Sequence, residues 1–482
     1  MRSAHRVETV RTAERTLMAQ LPDGALMQRA AAGLAAACAA TLPHVYGSRI
    51  VLLTGSGDNG GDTLYAGARL AKRGAGVTAV LLNPTRTHPE ALKALLRTGG
   101  TTTTPTAQTT PALIDRADLI LDGIVGIGGK GGLRPEAAPL AELAAASPAT
   151  VVSVDLPSGI EPDTGEVNGP AIHADLTVTF GTHKPGLLID PAREHAGSVR
   201  LIDIGLASAL PTTADLESLQ HADVAALLPH PSQESDKYRR GVVGIAAGSA
   251  HYPGAAVLAV AGALRGGAGA VRYVGPAADA VLARFPETLV SDRGPRRAGR
   301  VQAWVTGPGA GDDAAPVAEA LSTDVPVLLD ADGLRLADRD TVRARTAPTL
   351  MTPHAGEAAA LLGVSREEVE SARLTAVRDL ARDYHATVLL KGSTTLIATP
   401  DDDTPVRVNP TGTPWLATAG SGDVLSGLAG SLLAAGLAPL DAASAAAYLH
   451  GLAGRYAANG APTSAQDVAE AIPAAWRDIT KA

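Results

Sequence analysis

Three things are scarce in this chain of 482 residues. Aromatic side chains make up only 3% of it, which leaves little for stacking on nucleobases. Cysteine occurs once, at Cys38, so no intramolecular disulfide can form; its alanine and leucine neighbours mark it as core packing, and a reducing, cytoplasmic compartment is expected. Positive charge is in deficit, 41 Lys and Arg against 49 Asp and Glu for a net charge of -8. With no basic run to follow a phosphodiester backbone, nucleic acid is not an expected partner. Apolar runs of membrane length are also missing. The nearest, Ala30 to Leu42, is shorter than the roughly 20 residues a bilayer requires. Preceded by Arg29 and polar residues, it reads as a buried amphipathic helix rather than a signal segment, and no membrane partner is expected.

What is present is length enough for two or three domains, with an ordinary 45% of apolar residues and 52 glycines. Such a composition suits helices packed closely on sheets of small and β-branched residues. From Ser48 the pattern alternates: a strand at Arg49 to Leu53, a glycine-rich loop, a helix from about Thr63 to Arg73, and a strand at Val77 to Leu82. Further β-type runs fall at Ala117 to Leu121, Thr150 to Val154 and Leu176 to Phe180. This alternation predicts an α/β fold with a mostly parallel sheet covered on both faces. Thr98 to Thr110, rich in Thr, reads as a connection rather than a packed element. Pro211, paired threonines and acidic residues break the pattern between Ala207 and His221, so domains over 1–210 and 223–482 are expected, with 211–222 as linker. After a polar loop, Pro229 to Arg240, a second strand and helix series opens at Gly241 to Ala247. Its later strands are expected at Ala303 to Thr306, Val325 to Asp330, Thr349 to Thr352, Thr387 to Lys391 and Thr395 to Thr399. The halves show no mutual similarity that would make them a repeat.

In the first half, Gly55-Ser56-Gly57-Asp58-Asn59-Gly60-Gly61-Asp62 joins a strand to a helix. Four glycines in these eight positions let a ligand approach the backbone, and anionic phosphate suits such a turn. A tight turn without function would look similar, and no P-loop lysine follows. Asp122 and Asp155 each end an apolar strand. Ligands of an open parallel sheet bind beyond the carboxyl ends of its strands, so Asn59, Asp122, Asp155 and Ser158 are expected to converge. A lone Asp there would more often be a cap; two such carboxylates together with a glycine loop favour a site. In the second half, Ala419-Gly420-Ser421-Gly422-Asp423 opens a helix-like stretch. It reads as an anion hole, with Asp423 placed to accept a proton from an attacking hydroxyl. Val388 to Thr395 is an apolar strand ending in a Lys- and hydroxyl-rich turn that suits nucleotide phosphate. His354, in Thr352-Pro353-His354-Ala355-Gly356-Glu357, is either a generic exposed His or a ligand contact.

The segments Asp58 to Asp62, Leu121 to Gly132 and Val154 to Gly159 resemble the NAD(P)H-hydrate epimerase family. This implies a Rossmann-like N-terminal domain that binds hydrated nicotinamide dinucleotides, NADHX and NADPHX, and uses K+. It implies further that Asp58, Asn59, Gly60, Gly61 and Asp62, with Gly126, Ile127, Gly128, Gly129, Lys130, Gly131, Gly132 and Asp155, contact the dinucleotide. Asn59, Asp122 and Ser158 would hold the K+, and Asp155 would move protons at the reacting ring. Thr63 stands where the family usually has glycine and Gly132 where aspartate is common. His183 and Lys184 are family-like too, as ligands or as a structured loop with a solvated lysine.

From about Tyr238 to Trp476 the chain resembles the ADP-dependent NAD(P)H-hydrate dehydratase family, which implies a C-terminal ribokinase-like α/β domain. The motifs are Ala246 to Ser249, Pro253 to Ala256, Gly307-Pro308-Gly309, the His354 loop, Lys391-Gly392, Asn409 to Gly412 and Gly422-Asp423. The resemblance implies that Ala255, Gly309, His354 and Asp423 contact the hydrated nucleotide. Lys391, Gly392, Ser393, Thr394, Thr395 and Gly422 would bind ADP. Ala355 replaces a common proline and Ser421 a common threonine. The expected function is repair: epimerisation of the hydrates, then phosphorylation of the C6 hydroxyl by ADP and loss of phosphate, with Mg2+ on the phosphates. A homo-oligomer is expected. Two other readings stay open: a ribokinase-like vitamin or sugar kinase, and a first domain serving only as an interaction module.

Overall fold

The computed structural model describes residues 1–481. It divides into two compact units, residues 3–215, and residue 216 onward together with Met1 and Arg2. Among the described residues no helix is long and apolar enough to cross a membrane.

In the first unit seven parallel strands run across the sheet in the order Thr101–Thr103, Gly76–Leu81, Arg49–Thr54, Leu119–Gly123, Thr150–Val154, Leu176–Phe180, Ser198–Ile202. Central strands read as nearly unbroken apolar runs because both faces are covered; every residue of Leu119–Gly123 is buried. The order reverses between Arg49–Thr54 and Leu119–Gly123, and the crevice of such a sheet opens at that reversal. Two expectations are corrected here. Thr101–Thr103 lies within the stretch expected to be a connection, yet it pairs with Gly76–Leu81 as an edge strand, where β-branched Thr fits a half-exposed position. The helix expected from about Thr63 starts at Asp58 and runs to Ala71, so Asn59 to Asp62 sit on its first turn, not in a loop.

The second unit is built on a sheet ordered Leu216–Ser218, Val406–Asn409, Thr395–Ala398, Thr387–Leu390, Thr349–Met351, Val327–Leu329, Ala303–Thr306, Val242–Ala246, Ala270–Val274, Leu289–Ser291. Pairing is parallel except around Thr395–Ala398, which is antiparallel to both neighbours. Residues 216–222 are therefore not bare linker. Leu216 and Leu219 are buried, so the chain is drawn into a strand beside Val406–Asn409, and a helix follows at His221–Leu227. Glycine earns its abundance in the helix Ser421–Ala434, almost wholly buried against Pro253–Arg265. A Cβ at Gly427 would sit 1.9 Å from the Ala259 carbonyl oxygen, and one at Gly262 would sit 2.1 Å from that of Val424. Only bare backbone allows so close an approach, and it fixes where the helix's N-terminus points.

Candidate active sites

At the reversal point of the first sheet, a cavity of about 710 Å3 is lined by the Gly55 to Asn59 turn, Asp62, Gly126 to Gly132 and Asp155. That volume suits a small-molecule ligand. Gly60, Gly61, Asp122 and Ser158 lie behind this lining. The two facing loops meet closely: a Cβ at Gly55 would fall 1.9 Å from the Ile124 carbonyl oxygen, and one at Gly126 would be 3.0 Å from Asn59 Oδ1. Both departures from the family pattern have local partners. Thr63 Oγ1 donates to the Asn59 carbonyl at 2.7 Å and fills the space beside Gly123. A Cβ at Gly132 would stand 2.5 Å from the Asn168 carbonyl oxygen, so an aspartate has no room in this backbone.

Asp122 is wholly buried and accepts from Ser158 Oγ at 2.5 Å, Ser158 N at 2.8 Å and Ser153 Oγ at 2.8 Å. Burial raises its pKa although these donors oppose the shift. Ser158 Oγ also lies 3.1 Å from the Val125 carbonyl oxygen. Asn59 Nδ2 is buried without a hydrogen-bond partner. The expected K+ ligands thus offer hard oxygens from a helix's first turn, a strand end and the loop after the next strand, a donor set that fits such an ion.

Asp155 takes a positive φ of 67°, strain that a non-glycine residue keeps only where its surroundings impose it. Its Oδ1 accepts from Lys184 Nζ at 2.5 Å, Thr179 Oγ1 at 3.1 Å and Phe180 N at 3.3 Å. Lys184 is not the solvated lysine of one expectation: it is 1% exposed and also donates to Thr179 Oγ1 and the Phe180 carbonyl. Beside this pair lie two acids whose pKa values are raised. Asp62 is driven well above the carboxylate range by burial and by Asp155, and its Oδ1 has no partner. Glu14, from the helix Val7–Met18, is raised chiefly by burial. Sequence reasoning did not pick out Glu14, since one acid on an amphipathic helix carries no signal of what it faces.

The second cluster forms at the start of the helix Ser421–Ala434, where Gly420 turns the chain at φ 87°. Asp423 is on the first turn. Burial, then the negative charge of Asp330, pushes its pKa up to about 7, with Lys391 pulling the other way. Such a value suits a general base at neutral pH. Lys391 Nζ donates to Asp330 Oδ1 at 2.7 Å and lies 3.7 Å from Glu357 Oε2, while Ser426 Oγ donates to Asp330 Oδ2 at 2.5 Å. Burial works against the charge of Lys391, but Asp330 and Glu357 outweigh it and its pKa is raised. A Cβ at Gly422 would be 3.4 Å from Lys391 Nζ, so the anion-hole turn faces the lysine. The remaining expected residues lie around it. Gly309 abuts Ala255, Gly307 packs on Asp330, and the Lys391 backbone N–H donates to the Pro353 carbonyl beside His354. His354 caps the helix Ala355–Leu362, its Nδ1 accepting from Gly356 N at 3.0 Å and Glu357 N at 3.1 Å. Behind Lys391 to Thr395, buried Arg373 donates to the carbonyls of Leu390, Lys391 and Thr394. Asp330, Glu357 and Arg373 escaped sequence reasoning. Asp330 ends a strand as Asp122 and Asp155 do, and that signal was available. Among the described residues no group of three His, Cys, Asp or Glu side chains is arranged to hold a metal ion.

A glycine-lined crevice at the reversal of a Rossmann-like sheet, followed by a glycine turn that opens a helix with a raised-pKa carboxyl near a lysine, is the arrangement of a two-domain nucleotide-handling α/β enzyme. Residues 23–186 match the family described as YjeF-related protein N-terminus, and residues 243–474 match NAD(P)H-hydrate dehydratase. The bifunctional NAD(P)H-hydrate repair enzyme of Mycobacterium leprae is 50% identical over 459 residues, 93% of each chain. Among solved structures, the ADP/ATP-dependent NAD(P)H-hydrate dehydratase of Bacillus subtilis, co-crystallised with ATP and Mg2+, is 29% identical at a TM-score of 0.51, covering 55% of this chain and 99% of that one. A ribokinase-like superfamily protein of Enterococcus faecalis, 22% identical at a TM-score of 0.50 over 56% of this chain and 98% of its own, shares the fold. The chain belongs to the bifunctional NAD(P)H-hydrate repair enzyme family. The expected fold class and pair of activities are borne out.

Proposed function

We propose that Asp155 and Asp423 are the catalytic centres of the two activities, acting in turn on hydrated NADH and NADPH. In the first unit, Asp58 to Asp62 and Gly126 to Gly132 receive the dinucleotide, and Asp155 exchanges protons at C6 as the R and S forms interconvert. Asn59, Asp122 and Ser158 would hold K+, which would supply positive charge at the crevice. In the second unit, Ala255, Gly309, His354 and Asp423 bind the S form, while Lys391 to Thr395 and Gly422 bind ADP. Asp423 takes the C6 hydroxyl proton and the oxygen attacks the terminal phosphorus of ADP, releasing AMP. Phosphate then leaves C6 as a proton leaves C5, and the dihydropyridine ring is restored. Mg2+ offsets phosphate charge when bound; the carboxylates of Asp330 and Glu357, beside Lys391, suit it as hard oxygen donors.

The strongest support is Asp423 itself: a carboxyl with a pKa of about 7 on the first turn of a buried helix, opposite the one lysine of the cluster. We also assign the chain to the cytoplasm, as a homo-oligomer, on its single buried cysteine and family likeness. The test follows the near-ultraviolet absorbance of reduced nicotinamide as a mixture of both NADHX epimers is incubated with the protein, K+, Mg2+ and ADP or ATP. Full recovery of NADH is expected with ADP. Recovery that stops at the S fraction removes the epimerase assignment, and none with either nucleotide removes the repair reading of the second unit in favour of a kinase.

A further inference from the structure

The cavity of the first unit holds a carboxyl that neither the motifs nor the family likeness assigns. Glu14 lines it from the helix Val7–Met18, together with Asp58, Asp62 and Asp155. The charged groups acting on Glu14 are Lys184, Asp155, Asp58 and Arg11, and Asp62 feels the charge of Glu14 in turn. The one buried lysine is committed elsewhere. Lys184 Nζ donates to Asp155 Oδ1 at 2.5 Å, to Thr179 Oγ1 at 3.0 Å and to the Phe180 carbonyl at 3.1 Å, which uses its three protons. Arg11 directs Nη2 toward the Ile127 carbonyl. Glu14 is left among carboxyls with no cation bonded to it by this set, and burial favours its neutral form. One cavity therefore contains a carboxyl bonded by a lysine and a second carboxyl, bonded by none of these cations, whose pKa burial raises. Two carboxyls in one cavity, one ion-paired and one not, can divide the roles of base and acid between them.

We propose that Glu14 is the proton donor of the epimerase site, working opposite Asp155. The inference rests on the reading of Asp155 as the group at the reacting ring. The C6 carbon of the hydrate carries both a hydroxyl and ring N1, and inversion there proceeds by opening the ring. Asp155 takes the hydroxyl proton, the freed pair forms C6=O, and the C6–N1 pair moves onto N1, which receives the proton of Glu14. Rotation about C5–C6 turns the other face of the aldehyde to N1. Reversal of the transfers closes the ring as the opposite epimer, with both carboxyls returned to their starting states and nothing consumed. A neutral donor matters because N1 leaves poorly as an anion.

Glu14→Gln in the full chain tests this, with R-enriched NADHX and ADP as substrates and NADH formation as readout. The variant is expected to consume the R form about 100-fold or more slowly, the range of a lost general acid, while dehydrating the S form at the wild-type rate. In the wild type, epimerisation should fall as pH rises through the raised pKa of Glu14, and Glu14→Asp should restore part of the rate. Carbon-13 NMR of the Glu14 carboxyl in the unmodified protein gives a readout independent of any variant, and a carboxylate at neutral pH overturns the proposal. So does a Glu14→Gln protein that epimerises at the wild-type rate while Asp155→Asn does not; loss confined to Asp62→Asn would move the donor role there. Were Asp155→Asn itself fully active, the reading of Asp155 would fail first.

Discussion

Asp155 and Asp423 are both single carboxyls at the carboxyl edge of a parallel sheet, yet the chain treats them oppositely. Asp155 has a lysine bonded to it at 2.5 Å, and the backbone holds a positive φ to keep it there. At the second site the lysine is bonded to Asp330 instead, and Asp423 is left with a pKa of about 7. One carboxyl is bonded by a buried lysine; the other is left without a bonded cation and with a raised pKa. The chemistry proposed for the two steps differs accordingly. Epimerisation returns every proton it moves, so a fixed base with a separate acid suffices. Phosphoryl transfer needs a base that can accept a proton from a hydroxyl and release it later, which a near-neutral pKa favours.

Asp423→Asn breaks the comparison most severely. It should lower dehydration of the S form by about 10²- to 10⁴-fold, the contribution of a general base, while leaving conversion of R to S intact. The same change should stabilise the protein at alkaline pH. A carboxyl whose folded pKa is raised contributes most below its unfolded pKa, and that contribution is lost as pH rises through about 7. Thermal unfolding of variant and wild type should therefore diverge in the variant's favour above neutrality and converge in acid, an exchange of stability for activity.

At the first site the corresponding break is Lys184→Met, which leaves Asp155 buried without its cation. Severing a buried pair in this way costs about 3–5 kcal/mol, read as a lower unfolding midpoint of the first unit, and epimerisation should be lost as well. Adding Asp155→Asn to Lys184→Met should recover most of the stability and none of the activity. If the single variant unfolds like the wild type, Asp155 is not held as a matched charge and the contrast between the sites collapses.

The sequence carried much of this and missed particular parts of it for physical reasons. Asp122 and Asp155 were legible because a carboxylate after an apolar strand breaks a pattern, and the glycine turns because close approach demands glycine. Asp330 obeyed the same rule without being singled out, having been read as the last residue of its strand. The helix start at Asp58 was hidden by Gly60 and Gly61, which disfavour a helix locally but are accepted where the turn must face a crevice. Glu14 and Arg373 could not be read at all, and Lys184 only as a family-like residue whose burial was not seen: each is an ordinary charged residue in one dimension, and only the packing of distant segments makes it a buried partner. The strand at Leu216–Ser218 was missed because Pro211 and the threonines before it mask a short apolar signal.

Asp330→Asn makes the smallest change and sharpens the comparison most finely. Asp330 raises the pKa of Asp423 and at the same time occupies Lys391. Without its charge, one source of repulsion is gone and Lys391 is freed to face Asp423 across the Gly422 turn, so both effects favour the ionised base. With Asp423 as the proposed base, active when deprotonated, wild-type dehydration should fall as pH drops below about 7, and in the variant this acid limb should move to lower pH. The second site would then resemble the first, a carboxylate fixed by a lysine. Any fall in rate at high pH would report how far dehydration depends on a base that can also return its proton. An unmoved acid limb would mean that burial alone sets the pKa of Asp423, with Asp330 serving only to position Lys391 for the nucleotide.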